Sequence, residues 1–184
     1  MKKLLLIACT AILSFGCNDK SGSSSAGSDS TKPAETKTGD IVYPYTLDGP
    51  YRDWQPGDQK HAVTVMSSLK GFETGNMTAC MAGFADSVEI YFDNFQKKMS
   101  RDSLTKFFTD QRAMSSSIKI KMYDWESVIA KDKKDEWVTL WYKEVQTNNK
   151  GITDSVSVTD DVKIVNGKIA LLDEKTRHYA SPKK

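Results

Sequence analysis

Apolar residues recur along this chain with two different periods, and the period changes near Ser117. Before that point, from Asp58 onward, Val65, Met66, Leu69 and Phe72 return at the spacing of one helical face, which predicts an amphipathic helix ending near Gly75. Asn76 is placed to cap a short second helix running to about Gly83. Val88, Ile90 and Phe92 then alternate with polar neighbours, so Asp86 to Phe92 reads as a strand. Ser100 caps a third helix, Asp102 sits in its first turn, and Leu104, Phe107, Phe108 and Met114 form its buried stripe.

After Ser117 the period is two. Ile118, Ile120 and Met122 line one face of a strand, and Tyr123, Trp125 and Ile129 line the other after a change of register. A charged turn from Lys131 to Glu136 leads to a strand in which Trp137, Trp141 and Val145 interleave with Val138, Leu140 and Tyr142. Such a strand is apolar on both faces and is covered on both. Asn148 to Gly151 turns the chain, Val156 and Val158 resume the alternation, and Asn166-Gly167 marks a tight hairpin before a last strand from Lys168 to Tyr179. Three helices followed by four long antiparallel strands predict an α+β domain with its helices on one side of a curved sheet.

The N-terminal pattern is of another kind. Lys2 and Lys3 precede an apolar run from Leu4 to Phe15, too short for the about 20 residues that span a bilayer. Leu13-Ser14-Phe15-Gly16-Cys17 resembles the lipobox of bacterial lipoproteins, with Ser14 where an aliphatic residue usually stands. Leu6-Ile7-Ala8-Cys9 fits that motif letter by letter but leaves a very short apolar run before it, so Cys17 is the preferred site. The resemblance implies a signal peptide over 1–16 and lipidation at Cys17, with the membrane as a partner through that lipid. Asn18 implies the outer membrane, facing the periplasm or the cell surface. Residues 17–40 hold no large aliphatic or aromatic residue after the cysteine and are expected to form a disordered tether, with a reach on the order of 25 Å. Residues 41–57 alternate Tyr43, Tyr45, Tyr51 and Trp54 with prolines and form a lead-in to the domain at 58–184.

Composition narrows the functional classes. The chain has 184 residues, enough for one ordinary domain, and a net charge of +2 that gives no nucleic-acid footprint. Without the segment holding Lys2 and Lys3 the two signs balance. Cys80 is the single cysteine of the domain, set among Met77, Ala79 and Met81, and reads as a core residue without a disulfide partner. His61 and His178 are the only histidines, and no Cys/His cluster has metal-ligand spacing, so neither metal nor cofactor is expected.

The order of elements, with Phe84-Ala85-Asp86-Ser87-Val88, Met99 to Phe108 and Val162 to Ile169, resembles the nuclear transport factor 2-like superfamily, which includes SnoaL-like cyclases, ketosteroid isomerases and scytalone dehydratase. The resemblance spans roughly Gly57 to Tyr179. It implies a cone-shaped, cystatin-like fold, with three N-terminal helices on a curved antiparallel sheet. An isomerase of this kind needs a carboxylate base and two proton donors, a tyrosine and a neutral aspartic acid. An ungapped alignment puts the base on Phe92 with Asp93 one residue beyond, the tyrosine on Ser68, and the second acid near Val158. None of the three functions is retained there, so no catalytic residue is assigned.

The candidate pocket is made of Tyr91, Phe92, Trp125, Trp137, Trp141 and Asp161. The aromatics have a second reading as plain core, and His178 reads as an exposed residue beside Arg177. Apolar register puts Asp160 inward; the pair Asp160-Asp161 is explained by a bulge that turns both outward or by a buried carboxylate facing the pocket. The missing base and donors favour a non-catalytic module over an enzyme. It would bind a small apolar ligand, or pair through its sheet with a second copy or another envelope protein. A dehydratase, isomerase or cyclase with a non-standard set of acids is the alternative.

Overall fold

The computed structural model describes residues 44–45, 47–93 and 95–179. The expected signal peptide, lipidation at Cys17 and tether lie outside them. Among the described residues no helix is long and apolar enough to cross a membrane.

The chain runs β1 (Gln55–Pro56), α1 (Gln59–Thr74), α2 (Met77–Met81), β2 (Phe84–Phe92), β3 (Phe95–Ser100), α3 (Arg101–Ala113), β4 (Ser115–Ile129), β5 (Glu136–Asn148), β6 (Thr153–Val165) and β7 (Lys168–His178). Each helix starts at the polar residue its sequence offers. Asp58 accepts from the Lys60 amide, Asn76 from Ala79 and Ser100 from Ser103. Helix α1 ends where Gly75 adopts φ 77°, a left-handed conformation that favours glycine. Gly71 lets α2 approach closely, because a Cβ there would sit 2.3 Å from the Cys80 amide nitrogen. Arg112 ties these parts together by donating to the carbonyls of Phe72, Glu73 and Ser115.

The strands form one sheet in the order β1-β4-β5-β6-β7-β2-β3. β4 to β7 pair antiparallel in sequence order, the meander predicted by the alternation. Two expectations need correction. The sheet is open, with β1 and β3 as edges that do not meet, and it is neither closed nor strongly curled, so the cone-shaped curved sheet is not what this chain forms. The physical reason is that closure needs a ladder between the edges, and β1 is only two residues long at the side opposite β3. Nor is the sheet wholly antiparallel, because β7 returns beside β2 in parallel.

Strand alternation gives the sheet two unlike faces. Val138, Leu140, Val158, Val162 and Ile164 point to the helices and are buried with Val65, Leu104, Phe108 and Ile169 in one core. Trp137, Thr139, Trp141, Asp161 and Lys163 occupy the intervening positions, on the face away from the helices.

Candidate functional site

A cavity of about 80 Å³ lies in the core, walled by α1, α2, α3 and strands β2, β5, β6 and β7. That is room for on the order of five water molecules. Most of its wall is apolar, with Phe72, Phe84, Phe92 and Phe108 contributing rings. Ser68, Tyr142, Glu144, Asp160 and Glu174 are the polar exceptions.

Period-two geometry explains how these polar groups gather. Tyr142 and Glu144 continue the inward series Val138, Leu140 on β5, and Asp160 continues Val158 on β6. Asp160 stands opposite Glu174, and Glu174 stands opposite Phe92 on its other side. Carboxyl groups at directly opposed positions have Cβ atoms about 5 Å apart, so the two acids are immediate neighbours.

Their electrostatics follow from that placement. Burial pushes the Asp160 carboxyl far above the usual carboxylate range, and the neighbouring Glu174 and Glu144 charges push the same way, against the Tyr142 hydroxyl that donates to it. Both influences favour the neutral form of Asp160. The Tyr142 hydroxyl donates to Asp160 Oδ2 at 3.1 Å, while Oδ1 and the Ser68 hydroxyl are buried without any hydrogen-bond partner. Glu174 is pushed up to about 7, first by burial and then by the charge of Glu144, with Asp93 adding to it. Thr176 donates to it weakly at 3.4 Å. Glu144 is raised by burial and by Glu73, whereas burial pushes the Cys80 thiol up to about 11, leaving it a neutral wall residue. Among the described residues no group of three or more His, Cys, Asp or Glu side chains is placed to hold a metal ion.

Of the residues singled out in the sequence, Phe92 lines this cavity and the other five lie elsewhere. Asp161 faces away from the helices, accepting from Thr139 at 2.7 Å and from Lys175 at 2.7 Å. No bulge separates it from Asp160, since the pairing with β5 runs unbroken through both. Trp137 lies under Lys163 Nζ, and Trp141 pairs with Thr159 on the same face. Tyr91 donates to Glu89 at 2.8 Å. Trp125 faces a separate cleft with Trp54, at the start of α1. His61 and His178 are also absent from the cavity wall.

Sequence reasoning missed Tyr142, Glu144 and Glu174, and weighed Asp160 only as half of a pair. One signal was present: Val158, the position assigned to the second acid, is one same-face step from Asp160.

No protein-family profile matches the chain, and no curated protein matches it. Solved structures do. A nuclear transport factor 2-like protein of unknown function from Burkholderia pseudomallei is 12% identical, with 64% of this chain and 91% of that chain covered at a TM-score of 0.54. AusH from Aspergillus nidulans is 11% identical over 67% of this chain and 87% of its own, at 0.53. An LEH-like epoxide hydrolase from M. tuberculosis is 11% identical over 65% and 84%, at 0.52. Similarity at this level establishes the fold, nuclear transport factor 2-like, and leaves the chemistry to the residues.

Proposed function

We propose that the cavity is an acid–base site acting on a small, largely apolar substrate, in the manner of a dehydratase or isomerase with its own set of acids. The observation that carries this reading is the pair Asp160 and Glu174, opposed on one face of the sheet and both held above the ordinary carboxylate range by burial. Separating the proton affinities of two neighbouring acids is how a site assigns a donor and an acceptor. Glu174, at about 7, is poised to take and return a proton near neutrality. Asp160 keeps its proton, and because Tyr142 occupies Oδ2, the proton is directed through Oδ1 into the cavity beside Ser68.

A substrate carbonyl or hydroxyl oxygen accepts from Asp160 Oδ1–H and Ser68 Oγ–H. Glu174 removes a proton from carbon as the electron pair moves toward that oxygen. Return of the proton at a different carbon gives isomerisation; loss of a hydroxyl as water gives dehydration. One solved neighbour is named as an epoxide hydrolase, so the fold is compatible with an enzyme. The chain is further proposed to work from a membrane surface through lipid on Cys17, a reading supported by its N-terminal sequence.

The direct test uses cyclopentanone in deuterated buffer, with exchange of the hydrogens next to its carbonyl followed by proton NMR. The expected result is exchange above the buffer rate that falls by about 100-fold or more in Glu174→Gln. Equal exchange by wild type and variant would remove the reading. For the membrane arrangement, Cys17→Ser is expected to abolish partitioning into detergent.

A further inference from the structure

We infer that the ligand of this cavity carries a positive charge, as a small alkylamine. The inference rests on reading the cavity as the working site and adds the charge of what enters it. Elsewhere among the described residues each half-buried carboxylate has a basic side chain within 4 Å. Asp135 meets Lys163 at 2.8 Å and Arg52 at 3.2 Å, and Glu73 meets Lys70 at 2.6 Å. Asp161 and Asp173 share Lys175. Among the described residues Glu144, Asp160 and Glu174 have no such partner, and no described Lys, Arg or His lines the cavity they face. Among the described acids that are buried or half-buried, these three alone have no basic side chain within 4 Å.

Three further observations make the gap a site for an organic cation. Asp160 is 5% exposed and its Oδ1 is unpartnered, as is the oxygen of Ser68 at 5%, so two residues of the cavity wall each hold a buried polar atom without a partner. The wall around the acids is aromatic, with four phenylalanine rings and Tyr142, the surface that attracts an alkylammonium through its ring faces. The cavity is small, which suits a head of a few heavy atoms. A hydrated metal ion would find mostly hydrocarbon.

The groups facing the ligand are Glu144 and Tyr142 from β5, Asp160 from β6, Glu174 from β7 and the Cys80 thiol from α2. Glu73 acts on Glu144 from α1, and Asp93 acts on Glu174 from the end of β2. A cation entering this set favours ionised Glu174, so binding near neutrality releases a proton. Asp160 and Ser68 remain free to hold an oxygen on the same ligand, which defines a small amino ketone or amino alcohol as the substrate class.

Tetramethylammonium chloride and tert-butyl alcohol, each with five heavy atoms, separate charge from shape. Calorimetric titration of the full-length protein, with sodium chloride at matched ionic strength, should give at least about tenfold tighter binding of the cation at pH 7.5. The preference should shrink at pH 5, and heats in buffers of different ionisation enthalpy should report proton release at pH 7. Glu174→Gln, checked for a melting profile equal to wild type at pH 4, where Glu174 is protonated, should lower the preference by about tenfold. Tighter binding of the alcohol, a preference independent of pH and of Glu174, or no binding of the cation at tens of millimolar would each overturn the inference. Binding of the alcohol alone would leave the acid–base reading standing, and cation binding without ketone exchange would leave this inference standing alone.

Discussion

Asp160 and Asp161 are adjacent in the chain and sit in opposite chemical worlds. Asp161 looks away from the helices, where Thr139 and Lys175 satisfy it, and Lys175 is shared with Asp173. Asp160 looks into the core, where one oxygen takes the Tyr142 hydroxyl and the other has nothing. A single peptide step on a pleated strand reverses the side chain's direction, so one face of β6 carries an ion-paired carboxylate and the other a carboxyl buried among apolar neighbours. The lesson is that neither residue type nor sequence neighbourhood sets the behaviour of an acid here. Access to a cation and to water does.

The sharpest way to break the comparison is to neutralise the cavity face. Glu174 is pushed up to about 7 from an ordinary 4.5, so its contribution to stability is fully present below about 4.5 and is lost as the pH rises through 7. Glu174→Gln cannot ionise and should gain about 3 kcal/mol over wild type at pH 8, with no gain at pH 4, by urea denaturation. A gain equal at both pH values would mean that the acid is not buried as described. Next in size is Tyr142→Phe, which leaves the second Asp160 oxygen without its donor and should cost about 1–2 kcal/mol. Carboxyl carbon-13 NMR should then place the Asp160 titration higher still, because a lowering influence has gone. The smallest effect is expected on the far face. Lys175 is about half exposed, so Lys175→Met should cost at most about 1 kcal/mol at pH 7 and less in high salt.

The helices and the long strands were legible because each carries its own signal. Asp58, Asn76 and Ser100 announce helix starts, and alternation with Asn166-Gly167 announces the last hairpin. The strand Phe95–Ser100 was not legible, since its exposed edge position asks for few apolar residues and it carries Gln96, Lys97 and Lys98. The parallel pairing of β2 with β7 leaves no local trace, because the partners lie far apart in the chain. The site failed for a related reason. Parity along β6 pointed Asp160 inward, but that it meets Glu174, and that Glu144 and Tyr142 close round them, depends on registers between strands that no one strand encodes. Aromatic content misled in the same way: Trp137 and Trp141 are conspicuous in the sequence and lie on the far face.

The single guanidinium of Arg112 reaches the carbonyls of both Phe72 and Glu73 and that of Ser115 at the start of β4. Phe72 is a wall of the cavity, and the neighbouring Glu73 side chain accepts from the Ile120 amide of β4. A guest that displaced Phe72 would therefore act on two ties between α1 and β4, the Arg112 guanidinium and the Glu73 carboxylate. Those ties place the cavity wall and the first edge of the long meander on a common joint.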